Sequence, residues 1–177
     1  MLPRIGENMN RILRKTKIIC IDWDSTIINH ESLDRLSIIM GKHDKINPLT
    51  FNAMNGTIPF DQSLKQRMDI LQPSYVDLLR YLDYACVSNI TPNFISFYEL
   101  LRKHDKEVYI IADTFHELIR PYLPHININM NNIYANIMYH NNDGKYLHYD
   151  QNNGKCEIIK HLMVKHKTNN VIMIGDG

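Results

Sequence analysis

The sequence is poor in cysteine, with only Cys20, Cys86 and Cys156 and no CxxC pair. An odd number of widely spaced cysteines argues against a disulfide scaffold and against a structural zinc site. No apolar run approaches the length of about 18 residues that would predict a membrane span. The N-terminus carries charges but lacks the apolar core of a secretory signal. These absences predict a soluble protein of the reducing cytoplasm, without a membrane partner.

The chain also lacks an excess of either charge. Its 20 basic and 19 acidic residues leave a formal net charge of +1 at pH 7. Without a basic surface, we expect no nucleic-acid partner. The 177 residues, 44% of them hydrophobic, suffice for one domain with a sizeable core and an inserted subdomain.

Short apolar, β-branched runs alternate with helical patterns along the chain. Three runs read as strands buried on both faces: Lys17–Asp22, Val108–Ala112 and Val171–Ile174. Ile133–Tyr139 and Lys145–Tyr149 flank a turn sequence and predict a hairpin. Alternation of strand and helix predicts an α/β fold with a parallel sheet at its core.

The stretch from Glu31 to about Leu82, between the first two strands, has helical spacing of its apolar residues. Four residues are expected to divide it into short helices: Pro48, Gly56, Pro59 and Pro73. A later helix opens at Thr91-Pro92, with one predicted apolar face: Phe94, Phe97, Leu100 and Leu101. The first helical stretch is therefore predicted to be an insertion into the sheet domain.

Acidic residues follow the predicted strands. Asp22 and Asp24 come directly after the first strand, Asp113 after the second and Asp176 after the last. In open α/β sheets, ligands bind beyond the carboxyl ends of the strands, and clustered carboxylates there favour a hard cation such as Mg²⁺. Asp and Ser also cap helices and form turns, so a single such residue would indicate little. Acids at several strand ends are harder to explain in that way.

AspTrpAspSerThr (Asp22–Thr26) resembles the first motif of the haloacid dehalogenase superfamily, in which DxD follows the first core strand. Its Ser-Thr ending is similar to the phosphoserine phosphatase branch. Three further segments resemble that branch: Asn52–Phe60, Ser63–Pro73 and Val171–Gly177. The resemblance covers roughly residues 17–177. It implies a three-layer, Rossmann-like core over residues 1–28 and 88–177, with a helical cap over residues 29–87.

The resemblance implies catalytic roles for three residues. Asp22 would be the nucleophile that forms an aspartyl-phosphate, and Asp24 would be the general acid and base. Lys155 matches the third motif of the family and would pair with Asp22 and with phosphate oxygens. The cofactor would be Mg²⁺, held by Asp22, the backbone carbonyl of Asp24, and Asp176.

The substrate implied by the resemblance is a small phosphorylated amino acid, and a homodimer is a further expectation. Glu31 matches the acid that binds the ammonium group, and Arg67 matches the arginine that binds the carboxylate. Met54 and Phe60 either line this pocket or pack in the core. The remaining expected substrate-binding residues belong to the first and second motifs: Ser25, Ala112, Asp113 and Thr114.

The second motif departs from the family, whose strand normally ends in a Ser or Thr that binds a phosphate oxygen. This sequence has Ala112 there, followed by Asp113-Thr114-Phe115. Loss of one hydrogen bond to a charged group costs about 1.5–3 kcal/mol, or one to two decades in rate. Thr114 is the candidate replacement. Relatives similar to the phosphoserine–homoserine phosphotransferase carry SerAspThrPhe, so the end of the motif is familiar.

A second departure is that the sequence stops at Gly177, where family members continue with another acidic residue and further core elements. The alternatives at this point are a fragment of a longer phosphatase or a degenerate member that binds a phospho-ligand without catalysis. A phosphotransferase, which passes the phosphoryl group to an alcohol, is the enzymatic neighbour. A receiver domain also uses strand-end acids, but it has no inserted helices and ranks low.

Overall fold

A computed structural model of the protein describes residues 14–176. Residues 1–13 and Gly177, which the predicted core includes, lie outside the described residues. Five strands form one sheet in the order β4-β3-β2-β1-β5. Their bounds are β1 Ile18–Ile21, β2 Glu107–Phe115, β3 Ile133–His140, β4 Tyr146–Asp150 and β5 Val171–Ile174. β1, β2, β3 and β5 are parallel, and β4 is antiparallel to β3, which confirms the predicted parallel core and hairpin.

The sheet is covered on both faces, as the predicted three-layer core requires. One face of β1 and β2, with Ile18, Cys20 and Tyr109, packs against Ile158 and Leu162 of helix α8 (Gly154–Lys165). The other face buries the alternate strand residues against helix α5 (Phe94–Lys103) and the helices inserted after β1. Because consecutive strand residues point to opposite faces, these short runs are apolar throughout.

Four helices form the segment inserted after β1 and before α5, as the spacing predicts. They are α1 Ser32–Ile39, α2 His43–Met54, α3 Phe60–Leu71 and α4 Tyr75–Tyr84. Gly56, Pro59 and Pro73 fall between helices, but the prediction for Pro48 was wrong, because this residue lies inside α2. The break comes earlier, at Gly41, whose φ of +66° suits glycine and ends the α1 turn.

Two further predictions needed correction. In α5 the buried residues are Phe94, Tyr98 and Leu101, whereas Leu100 is 51% exposed. Spacing of four and then three residues keeps Tyr98 on the inner face and rotates Leu100 outward. The strand β5 is only partly buried, because it lies at the sheet edge and pairs only with β1 among the described strands.

Between β2 and α8 the chain contains two one-turn helices, α6 (His116–Ile119) and α7 (Leu123–Ile126), joined by the 3₁₀ turn Arg120–Tyr122. Two other 3₁₀ turns precede α5 and β3, at Val87–Asn89 and Met130–Asn132. None of the helices formed by residues 14–176 is both long and apolar enough to cross a lipid bilayer.

Candidate active site

A cavity of about 480 Å³ opens between the carboxyl ends of the strands and the inserted helices. It brings together ten of the predicted site residues: Asp22, Asp24, Glu31, Met54, Phe60, Arg67, Asp113, Thr114, Lys155 and Asp176. They come from the ends of three parallel strands, from helices α1 to α3 and from the start of α8. Residues far apart in the sequence therefore meet where an open α/β sheet normally binds its ligand.

Asp22 lies directly beyond β1 and is held in place by backbone groups. Its own N–H donates to the carbonyl of Ile174 at 2.9 Å, which extends the ladder between β1 and β5. The N–H of Trp23 donates to Oδ1 of Asp22 at 2.8 Å. The Trp23 side chain is fully buried, with its ring edge-on to Tyr122 at 5.5 Å. The carboxylate of Asp22 is therefore fixed through Oδ1, and Oδ2 is directed to other partners in the cavity.

Lys155 supplies the positive charge at this end of the cavity. Its Nζ lies 2.5 Å from Oδ2 of Asp22 and 3.2 Å from Oδ2 of Asp113. Burial acts to lower the pKa of Lys155, but these two carboxylates outweigh it and raise the pKa above its usual value. Burial raises the pKa of Asp22, and Lys155 acts in the opposite direction. The lysine thus remains charged and favours the ionised form of Asp22.

Asp24 precedes α1 in the sequence, and its side chain binds the first residue of that helix, Ser32. Its Oδ1 accepts hydrogen bonds from the Ser32 N–H at 2.9 Å and from the Ser32 hydroxyl. Burial and the nearby negative charge of Glu31 raise the pKa of Asp24 to about 8, although the bonds from Ser32 act against this rise. At neutral pH this carboxyl group therefore holds a proton in the unliganded chain.

Glu31 and Arg67 face the cavity from the inserted segment. Glu31 accepts a hydrogen bond from the Ser25 hydroxyl at 2.6 Å, and burial raises the pKa of its carboxyl group. Arg67 is only 5% exposed, and its Nε has no hydrogen-bond partner among the described residues. Its guanidinium carbon lies 5.6 Å from the centre of the Phe60 ring. Burial lowers the pKa of Arg67, although the nearby carboxyl groups of Asp34 and Glu31 act in the opposite direction.

Ser25 and Ala112 differ from the other predicted residues, because neither lines the cavity. Ser25 has a left-handed backbone, with φ of 53°, and its hydroxyl binds Glu31. Ala112 is 1% exposed, and its side chain belongs to the core cluster. Met54 and Phe60 line the cavity and are 67% and 41% exposed, so they do not pack in the core.

Three cavity residues were not predicted from the sequence: Leu33, Thr50 and Ala53. Leu33 is an apolar residue on the inner face of α1, and its spacing indicated core packing alone. Thr50 is held by its hydroxyl, which donates to Oδ1 of Asp34 at 2.8 Å. Its position one turn before Met54 on α2 was the available signal, since residues four apart share a helix face.

The chemistry of the acidic groups fits a hard divalent cation. Asp22 and Asp176 both line the cavity, and Asp176 is exposed and unencumbered by the ion pair of Lys155. Within residues 14–176, no three or more His, Cys, Asp or Glu side chains group as a complete metal cage. Mg²⁺ usually takes one or two carboxylates, keeps several waters and binds substrate phosphate. Two carboxylates in an open cavity suit that ion.

The sheet order, the acids beyond its strands and the lysine shared between them define a phosphomonoester hydrolase of the haloacid dehalogenase type. Similarity to known proteins narrows this class. The chain is 31% identical over 182 residues to phosphoserine phosphatase of Drosophila melanogaster, covering 99% of this chain and 67% of that one. The Bos taurus enzyme of that name is 30% identical, with 90% and 73% covered. The chain therefore belongs to the phosphoserine phosphatase family.

A solved structure agrees with this assignment. A phosphoserine phosphohydrolase-like protein from Francisella tularensis superposes with a TM-score of 0.77 and 30% identity, over 91% of this chain and 78% of that one. No protein-family profile matches the chain.

Proposed function

We propose that this protein hydrolyses O-phospho-L-serine to L-serine and phosphate with the help of Mg²⁺, as the last step of serine biosynthesis. The relatives named above are phosphoserine phosphatases. The observation that carries the proposal is the pairing of opposite charges along one cavity. Lys155 lies at the sheet end, where a phosphate would bind, and Glu31 and Arg67 lie on the helices, where an amino acid would bind.

Asp22 is the proposed nucleophile. Its carboxylate attacks phosphorus in line with the seryl oxygen, so that an O–P bond forms to Asp22 as the bond to serine breaks. Lys155 keeps the carboxylate ionised and donates to phosphate oxygens, which reduces the repulsion between two anions. A water molecule then attacks the aspartyl-phosphate and regenerates Asp22.

Asp24 is the proposed general acid and base. With its pKa raised to about 8, the protonated carboxyl group can give its proton to the departing seryl oxygen. The resulting carboxylate then removes a proton from the attacking water in the second step. The bonds from Ser32 to Oδ1 orient the group throughout and leave its other oxygen available to the substrate.

The carboxylates of Asp22 and Asp176 and the backbone carbonyl of Asp24 would hold Mg²⁺. When bound, the cation neutralises phosphate charge as the phosphoryl group transfers. The protein supplies these oxygen ligands from two neighbouring strand ends, so folding of the parallel sheet brings them together.

Recognition of the amino acid is assigned to the inserted helices. Arg67 offers a planar pair of donors to the substrate carboxylate, and Glu31 accepts from the ammonium group. Residues 29–87 would act as a cap that covers the substrate and excludes water, on a core of residues 1–28 and 88–177. The open, apolar rim formed by Met54 and Phe60 lies where such a cap would close.

The first test is phosphate release from L-phosphoserine with and without Mg²⁺, with Asp22→Asn as the blank. We expect Mg²⁺-dependent release that falls at least about 1000-fold in the variant, because the nucleophile is lost. Phosphoethanolamine, which lacks the carboxylate, should be a poorer substrate by about 100-fold. Release that is equal in the blank, from protein shown to be folded, would reject the function. The metabolic role is tested by expressing this chain in a serine auxotroph that lacks its own phosphoserine phosphatase and measuring growth without serine.

A further inference from the structure

The strand β2 is irregular at the point where it reaches the cavity. Ile111 pairs with Tyr134 of β3 and Phe115 pairs with Asn136. Three residues of β2 (112–114) therefore stand opposite one residue of β3. Such a bulge breaks the ladder of backbone hydrogen bonds and re-aims the side chains within it. Here it turns Asp113 and Thr114 toward the cavity.

Two asparagine side chains bind backbone carbonyl groups of the bulge. Nδ2 of Asn136 donates to the carbonyl of Asp113 at 2.7 Å, and Nδ2 of Asn152 donates to the carbonyl of Ala112 at 2.8 Å. Asn136 is 1% exposed. An unpaired carbonyl buried at this point would be costly, so the two amides stabilise the bulged conformation.

The same two amides also bind the segment that leads into α8. Oδ1 of Asn136 accepts from the backbone N–H of Asn152 at 2.8 Å, and Oδ1 of Asn152 accepts from the N–H of Gly154 at 2.9 Å. Gly154 has a φ of +76°, which glycine adopts without strain, and it begins the helix. We call the side chains of Asn136 and Asn152 the amide clasp. It joins the bulge, β3 and the start of α8.

Lys155 is the next residue after Gly154, and its location needs this support. A cation in the first turn of a helix is disfavoured by the helix dipole. Lys155 is nevertheless directed to Asp22 and to Asp113, and Asp113 belongs to the bulge itself. The clasp therefore fixes both the backbone that carries the lysine and the backbone of one of its two carboxylate partners.

We propose that Asn136 and Asn152 are positioning residues that hold the Lys155 ammonium group between Asp22 and Asp113, ready to receive a phosphate group. This inference rests on the proposed function only in assigning phosphate binding to Lys155. Asn132 provides a matched control, because its Nδ2 donates to the carbonyl of Val108, also on β2, at 3.0 Å but at the opposite end of the strand.

The first test does not depend on turnover. Protein labelled with ¹⁵N in lysine side chains is observed by NMR, with Lys155→Met to assign the Lys155 signal. We expect the ammonium hydrogens of Lys155 to be protected from exchange with water. Asn152→Ala should raise their exchange rate at least about tenfold, whereas Asn132→Ala should change it less than twofold. An unprotected Lys155 in the wild type, or unchanged protection in Asn152→Ala, would overturn the inference.

The second test is a double-mutant cycle on phosphate release. We expect Asn152→Ala to lower kcat about tenfold in the wild type and less than twofold when Lys155 is already Met. Equal losses in both backgrounds would show that Asn152 does not act through Lys155, and would overturn the proposal. Asn152→Ser keeps an oxygen near Gly154 and loses only the amide donor, so it replaces Asn152→Ala if that variant does not fold. If the wild-type protein shows no turnover, the proposed function is rejected. The NMR measurement then still tests whether the amide clasp positions Lys155.

Discussion

The two sides of the cavity differ in whether their buried charges are paired. The sheet side, formed by Asp22, Asp113 and Lys155, pairs its charges within ion-pair distance. On the helix side, Arg67 is 5% exposed and forms no ion pair with any residue from 14 to 176. Leaving a buried cation unpaired costs stability unless a ligand later supplies the anion. The charges of Asp22, Asp113 and Lys155 are therefore already paired in the free protein, whereas Arg67 is available to an anion such as the proposed substrate carboxylate.

The largest expected effect comes from breaking the sheet side. Lys155→Met leaves the carboxylates of Asp22 and Asp113 together without a cation. We expect phosphate release to fall on the order of 1000-fold and the free energy of unfolding to fall by about 1–3 kcal/mol. Chemical denaturation and steady-state kinetics measure both. The control is Lys65→Met, whose pair with Asp69 at 2.8 Å is largely exposed and should contribute less than about 0.5 kcal/mol.

The helix side should respond in the opposite sense when its cation is removed. Arg67→Met is expected to raise KM for phosphoserine about 100-fold, because a bidentate partner of the carboxylate is lost. The same change should leave the free chain as stable as before or more stable, by up to about 1 kcal/mol. Arg102→Met, on the surface beside Tyr98, serves as the control. Destabilisation as large as that of Lys155→Met would contradict the comparison.

A smaller effect is expected at His30, whose ring contacts Tyr84 of the inserted helices and Tyr122, which follows β2. Its ring packs edge-on against Tyr84 of α4 at 5.6 Å, and burial, with a further contribution from Arg35, lowers its pKa to about 4. Between pH 6.5 and 4 the unfolded chain binds a proton that the folded chain excludes, so stability falls as the pH falls through this window. The contribution of neutral His30 to stability is fully present above pH 6.5.

His30→Gln should flatten this dependence by about 1–2 kcal/mol, less than the full difference in pKa because the ring is partly exposed. Urea denaturation at several pH values measures the change. His148→Gln is the control, since His148 is 62% exposed. An unchanged slope in His30→Gln would show that this histidine does not couple folding to protonation.

The smallest effect is a difference in thiol reactivity that requires no mutation. Cys20 lies in β1 with no exposed surface, and burial raises the pKa of its thiol to about 12, whereas Cys86 and Cys156 are exposed. A thiol reagent should modify two cysteines of the folded chain and the third only after unfolding. Mass spectrometry of the modified peptides identifies the sites. Rapid reaction at Cys20 would mean that the sheet opens readily.

The sequence was most informative where a residue's neighbours along the chain decide its place. Asp22 could be placed at a strand end because an apolar β-branched run precedes it. Ala112, Asp113 and Thr114 were predicted together at the end of the second strand, but only Asp113 and Thr114 line the cavity, because β2 is bulged there and Ala112 lies in the core. The asparagines of the clasp were not predicted, since three of their four bonds join residues 16–40 positions apart and the sequence is rich in asparagine throughout.

Trp23 provides an intrinsic fluorescent probe of the site. It is the only tryptophan in the sequence, and it follows the proposed nucleophile directly, with its backbone N–H bound to the Asp22 carboxylate. All indole emission of the folded protein therefore originates one residue from the reacting oxygen. A change of charge at Asp22, whether by substrate, by cation or by phosphorylation, alters the electric field at that ring. Stopped-flow fluorescence can thus follow individual steps of the reaction in the natural sequence.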